Sequence, residues 1–457
     1  MTAASSAEQA RDLLDEEVIA LATRLRADVA RALADDASLR GSTTTAAARA
    51  RATVLARTAL TRHSSAARRL GEAPLEGARE ALAVRLAVEM LFGLGVLQLF
   101  VDDPMVENVD VNGSDEAFVT YADGRKERIG PIAASDDDLV ATIRAAGARF
   151  GLSERRFDAA QPELDLRLPD GSRLSAVMAV TDRPVVDIRR HRLVELDLEQ
   201  LIELGAMDLE LAEFLSTAVR SRQNILISGA MNTGKTTLLR ALAAEIPPEE
   251  RIVTIEQSLE LGLHLQRDRH PDCVAMEARP ANTEGAGAIG MAQLVRRSLR
   301  MNASRVIVGE VLGDEIIPML NAMSQGRSGS MGTIHADSSA GVFRRIASYA
   351  VQAPERLPLE AANLLVAGAV HFVVHLDAAP VAPAAASAPA GPQAARRRYV
   401  ASVREVVDAE GPLVISNELW RPGSGRAIRG APPSERTLRA LGRVGVCPGE
   451  GPRGVVA

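Results

Sequence analysis

The chain has 457 residues, with 53 Lys or Arg against 59 Asp or Glu for a net charge of −6, and is 47% hydrophobic and 25% charged. That composition excludes wholesale disorder and leaves room for about three domains of roughly 150 residues. The acidic balance and the 3% aromatic content argue against a nucleic-acid coat, which needs basic surface and stacking rings, so no direct nucleic-acid binding is expected.

Residues 1–101 read as an N-terminal helical region. Ser6 and Gln9 have the form of a capping box, and Leu14, Val18, Leu21 and Leu25 follow at helical spacing. An Ala-rich helix over 45–70 carries Arg49, Arg51, Arg57, Arg62, Arg68 and Arg69, and no acid stands between Asp36 and Glu72. It reads as a solvated face, with a dock for anionic lipid or an acidic partner as the alternative. The longest apolar run, 90–101, has the length of a buried core helix and falls short of the ~18 residues of a membrane span. Glu8, Asp12, Asp15, Glu16 and Glu17 do not suit a signal peptide. Cys273 and Cys447 make neither a disulfide framework nor a zinc site, so a soluble, cytoplasmic protein is expected.

From about 106 the hydrophobic period shortens, and Asn112-Gly113, Asp123-Gly124 and Pro169-Asp170-Gly171 mark turns between short strands. Ser135 followed by Asp136, Asp137 and Asp138 marks a helix start. Residues 102–191 are therefore expected to form a small α+β domain, with a linker over 192–204. Over 205–377, apolar strands alternate with helical stretches, the pattern of an α/β domain with a parallel sheet. The Ala/Pro-rich 378–395 reads as a spacer, and 396–457 as a C-terminal hairpin and tail.

Between a buried-strand pattern at 224–228 and a helical pattern at 238–246 lies Gly229-Ala230-Met231-Asn232-Thr233-Gly234-Lys235-Thr236. It fits G-x-x-x-x-G-K-[ST] in the strand–loop–helix setting that the motif requires. Glycines let successive N–H groups point at phosphate oxygens, and the following helix offers its positive end. Lys235 would reach the β- and γ-phosphates, and the Thr236 hydroxyl would hold Mg²⁺. ATP and Mg²⁺ are the expected cofactors. The strand pattern at 305–309 ends in Glu310, a metal acid that would act through water. The pattern at 252–255 ends in Glu256, a candidate to orient or deprotonate the attacking water, and His335 follows another short strand.

Together with Thr237, Glu260-Leu261 and Gly332-Thr333-Ile334-His335-Ala336, these motifs resemble the ATPases of type II secretion, type IV pili and type IV secretion. Within that superfamily the chain is most similar to the CpaF-like branch of Tad/Flp pilus assembly, over roughly residues 80–425. The resemblance implies a RecA-like P-loop motor preceded by a PAS-like α+β domain. It also implies a homo-hexamer with ATP between the two domains, docked on inner-membrane platform proteins at the inner face of the cytoplasmic membrane. By matching position, Arg173, Arg189 and Arg190 reach the nucleotide phosphates, while Arg279, Arg296 and Arg300 face the site or a subunit interface. Glu260 shares an acidic box with Glu256.

Three motifs depart from the family pattern. Gln257 stands where an aspartate is usual and Leu312 where an arginine is, and Arg327-Ser328 replaces the usual His-Asp. Arg327 is read as a substitute for the missing arginine. The expected function is an ATP-driven motor for pilus assembly or secretion. The alternatives are a nucleotide-gated scaffold with weak hydrolysis and a conjugation-associated ATPase.

Overall fold

The computed structural model describes residues 12–35, 45–71, 73–75, 77–122, 124–151, 156–190, 196–279, 281–282, 285–326, 328–380 and 396–442. The Ser6 cap, Arg327 and most of the spacer lie outside them. The chain divides near residue 192 into two compact units, each with its own core.

The first unit begins with helices α1 (Glu16–Asp35), α2 (Thr45–Arg69) and α3 (Gly77–Phe92). α1 buries Val18, Leu21, Leu25 and Val29, and α2 turns Ala52, Ala56 and Ala59 inward at helical spacing. His63 and Asp28 tie α2 to α1 at 2.9 Å, and Arg49 pairs with Glu89 of α3. The apolar run 90–101 is not one helix. α3 stops at Phe92, and the chain bends by 107° across the break before the short α4 (Gln98–Val101). Gly95 in the break takes φ +60°. Among the described residues no single helix is long and apolar enough to cross a membrane.

β1 (Val106–Asn112), β2 (Ala117–Tyr121) and β3 (Lys126–Ile129) precede α5 (Asp136–Phe150), which the Ser135 hydroxyl caps by accepting from the Asp138 amide. β4 (Glu163–Arg167), β5 (Arg173–Val177) and β6 (Val185–Arg189) complete a six-stranded antiparallel sheet in the order β3-β2-β1-β6-β5-β4. Val109, Val119, Leu164, Leu174 and Ile188 fill its inner face while alternate positions stay more open, as expected of a sheet covered on one side.

The second unit opens with α6 (Leu198–Glu203) and α7 (Leu209–Arg220). α6 lies inside the stretch read as a linker, and Asp197 and Gln200 close a capping box at its start. There follow β7 (Ile225–Gly229), α8 (Lys235–Ala243), β8 (Ile252–Glu256), β9 (Cys273–Glu277), α9 (Met291–Ser298), β10 (Arg305–Val311), α10 (Ile316–Ser324) and β11 (Met331–Ile334). After α11 (Gly341–Gln352) and α12 (Leu359–Ala369) come β12 (Phe372–Pro380), β13 (Arg396–Glu410), β14 (Leu413–Pro422), β15 (Ala427–Arg429) and α13 (Glu435–Gly442).

All nine strands form one sheet, ordered β15-β14-β13-β12-β7-β11-β10-β8-β9. The six from β12 to β9 run parallel, and the terminal hairpin extends the same sheet antiparallel. Leu211, Leu215, Leu238 and Leu242 pack with Ile225 and Ile227 on one face, and Val295, Leu320, Ile346 and Val366 pack with Leu226 and Val308 on the other. Burial on both faces is why these strands are unbroken apolar runs in the sequence.

Candidate active site

All five residues of β7 are buried, and the chain leaves the strand through a sharp turn. Gly229 takes φ +155°, and a Cβ there would meet Thr233 Oγ1 at 2.5 Å and the Leu376 carbonyl oxygen at 2.7 Å. Asn232 and Gly234 are left-handed, at φ +60° and +94°, and Thr233 Oγ1 donates to the Ala230 carbonyl at 2.9 Å. The loop so folded delivers the chain into α8, whose first residue is Lys235. Amides at such a helix start are anion donors. Lys235 is 8% exposed, and its Nζ donates to the carbonyls of Gly229 at 3.1 Å and Ala230 at 2.8 Å. Thr236 and Thr237 are half-buried in the first turn, while Met231 is exposed at the tip of the loop.

β11 is inserted between β7 and β10, so its end stands between the phosphate loop and the strand that carries Glu310. His335 occupies that end. Its Nδ1 lies 3.2 Å from Lys235 Nζ, and its Nε2 lies 2.5 Å from Glu310 Oε1. An ammonium only donates, so Nδ1 accepts from Lys235 and the ring proton sits on Nε2, donating to Glu310. A neutral imidazole thus links the loop lysine to the acid. Thr333 Oγ1 donates to the Gly309 carbonyl at 2.6 Å and holds β11 to β10 just behind this link.

Glu256 ends β8 and is 2% exposed. Its Oε2 accepts from the amides of Glu260 at 2.7 Å and Leu261 at 2.8 Å. Burial pushes its carboxyl up to about 7, against the opposing pull of those two amides. Gly309, beside Glu310, leaves room for it, since a Cβ there would stand 2.9 Å from Glu256 Cγ. Arg240 of α8 donates to the carbonyls of Glu260 and Leu261, so the helix that carries Lys235 also clamps the loop after Glu256. Sequence reasoning passed over Arg240, and its clamp depends on contacts 20 and 21 residues away. It also passed over His375, whose Nδ1 is 3.0 Å from Ser228 Oγ in the buried layer under the loop. Only the β7–β12 pairing brings those two together.

Three of the other expected arginines belong to the second unit. Arg279 donates to the Gly287 carbonyl at 2.9 Å, Arg296 pairs with Glu355 at 2.9 Å, and Arg300 is exposed after α9. Gln257 is exposed beside Glu256, and Leu312 is 48% exposed. In the first unit Arg173 and Arg189 face one another across β5 and β6, and Arg190 is engaged by the Asp103 carbonyl and by Asp170.

Among the described residues no group of three or more His, Cys, Asp or Glu forms a metal cage. One threonine hydroxyl and one carboxylate are a donor set that suits Mg²⁺, which keeps several waters and takes further ligands from phosphates.

A family profile described as "Type II/IV secretion system protein" matches residues 93–400. The chain belongs to the type II/IV secretion system protein family. This secretion-family chain is 34% identical over 310 residues to a putative conjugal transfer protein of Mycobacterium tuberculosis, covering 66% of itself and 85% of that protein. It is 30% identical over 322 residues to the type IV secretion system protein VirB11 of Brucella suis, covering 64% and 87%. Against the crystal structure of the Brucella suis VirB11 ATPase in complex with sulphate, the TM-score is 0.32 at 27% identity, covering 63% and 92%.

Proposed function

We propose that this secretion-family ATPase is a hexameric motor that hydrolyses ATP with Mg²⁺ and drives protein secretion or pilus assembly from the inner face of the cytoplasmic membrane. The observation that carries the reading is the line Lys235–His335–Glu310, drawn across the ends of three adjacent strands in a chain of this family. Lys235 and the α8 amides would neutralise the phosphates, and Thr236 with Glu310 would hold the metal, which supplies further charge neutralisation at the transferred phosphoryl group. His335 holds Glu310 in place and senses Lys235 through one ring. Glu256, with a carboxyl near 7, is suited to take a proton from the attacking water at neutral pH.

The motor unit is read as RecA-like and the antiparallel first unit as PAS-like, with Arg173, Arg189 and Arg190 as its phosphate-reaching residues. We assign the chain to the Tad/Flp branch on its sequence motifs. Steady-state phosphate release from ATP by the full chain tests the reading, with Glu310→Gln expected to lose nearly all of it. Equal release by both proteins would overturn it, and negligible release by the wild type would favour the nucleotide-gated scaffold suggested by Gln257 and Leu312.

A conjugation-associated role is the second reading, favoured by the likeness to a putative conjugal transfer protein. It predicts DNA-stimulated turnover, which the secretion reading does not.

A further inference from the structure

The C-terminal hairpin brings an arginine to the phosphate loop. Leu376 of β12 pairs with Gly229 on one side and with Val400 of β13 on the other, so the start of the loop is level with Val400. Arg398 lies two residues earlier in β13 and therefore on the same face of the strand as Val400. Its Cδ is 3.6 Å from the position a Cβ would take on Gly234, the left-handed residue immediately before Lys235. A Cβ at Gly234 would make ordinary van der Waals contact with this stem, so the arginine is packed directly against the loop, where the left-handed backbone at φ +94° favours glycine.

The neighbours of Arg398 have partners. Arg397 donates to the Gly425 carbonyl, and Tyr399 reaches Asp377 at 3.5 Å. Arg398 itself is exposed, and among the described residues its guanidinium makes no hydrogen bond or ion pair. An arginine held by its stem against a phosphate loop, with its guanidinium uncommitted, presents a planar fork to anions on that loop. In the same loop Lys235 already spends its ammonium on two carbonyls and His335.

We propose that Arg398 is a nucleotide-binding residue: its guanidinium contacts the polyphosphate from the Gly234 side of the loop, as a second cation beside Lys235. This rests on reading residues 229–236 as the site of a nucleoside di- or triphosphate. It gives β13 a part in the site that neither the family motifs nor the loop sequence discloses. Because Arg398 lies in the first residues of β13, it also makes nucleotide affinity depend on the terminal hairpin being docked on the sheet.

The test is the affinity of the full chain for fluorescently labelled ADP and ATP, with wild type, Arg398→Ala, Arg398→Gln, Arg398→Lys and Arg397→Ala. Loss of one charge-assisted contact weakens binding by about tenfold or more. Both neutral Arg398 variants are expected to show that loss for ADP and ATP with unchanged melting of the free protein. Arg398→Lys should fall between, and Arg397→Ala should match wild type. Wild-type affinity in both Arg398→Ala and Arg398→Gln, alongside lost binding in Lys235→Ala, would overturn this proposal and leave the phosphate-loop reading standing. A wild type that binds neither nucleotide would overturn both.

Discussion

The Nε2 of His335 stands 2.5 Å from Oε1 of Glu310, and the opposite nitrogen of the same ring accepts from Lys235. One imidazole therefore reads the positions of the loop lysine and the strand acid together. Removing it should disturb catalysis far more than binding. His335→Ala is expected to keep ATP affinity within about threefold while turnover falls by roughly 10² or more. Parallel binding and single-turnover measurements check this, and equal losses in both would mean that the ring serves binding alone.

Glu256 sets a pH dependence of two signs. A base must be ionised, so turnover limited by Glu256 should climb as pH rises through about 7. Stability should move the other way. The buried carboxyl keeps its proton up to about 7, while the unfolded chain releases it near the ordinary 4.5. In that window the folded state binds more protons, so this contribution is complete below 4.5 and lost as pH passes through 7. Glu256→Gln removes the ionisation, so its melting temperature should gain on wild type across the window while hydrolysis is lost. A melting difference that does not vary with pH would contradict the assignment.

Arg305 begins β10 at the end of the strand remote from Glu310 and has no exposed side-chain surface. It donates to both oxygens of Glu250, at 2.9 and 2.6 Å, and to the Val219 carbonyl at 2.7 Å. Arg305→Ala leaves Glu250 to Arg222 alone and opens a cavity beside Gly329. A loss of about 3–5 kcal/mol is expected from breaking such a buried pair, read as a lower urea midpoint. A shift below about 1 kcal/mol would show that the pair is replaceable.

What the sequence made legible follows from range. The phosphate loop is a local motif, and its strand and helix flank it directly, so residues 229–236 could be placed without tertiary information. β8 and β10 were legible because both of their faces are buried, and α5 because Ser135 and its three aspartates form a cap within one turn. The break in the run 90–101 was missed because hydrophobicity alone does not mark a bend at Gly93 and Gly95. The hairpin was set apart from the motor because β12 and β13 pair across the spacer, a contact with no local signature. For the same reason Arg240, His375 and Arg398 escaped notice, since each meets the site through a partner distant in the chain. The arginines at 279 and 296 matched family positions, and within this chain their side chains meet the Gly287 carbonyl and Glu355.

Lys235 is the centre of the account. It is one of only two lysines in a chain with 53 Lys and Arg, and it lies inside a loop where backbone carbonyls grip a compact ammonium. A planar guanidinium cannot take that place. The deciding measurement is steady-state phosphate release from ATP by wild type and Lys235→Arg at equal, verified folding. The account predicts that the wild type turns over and the arginine variant does not. Near-normal release by Lys235→Arg would contradict it.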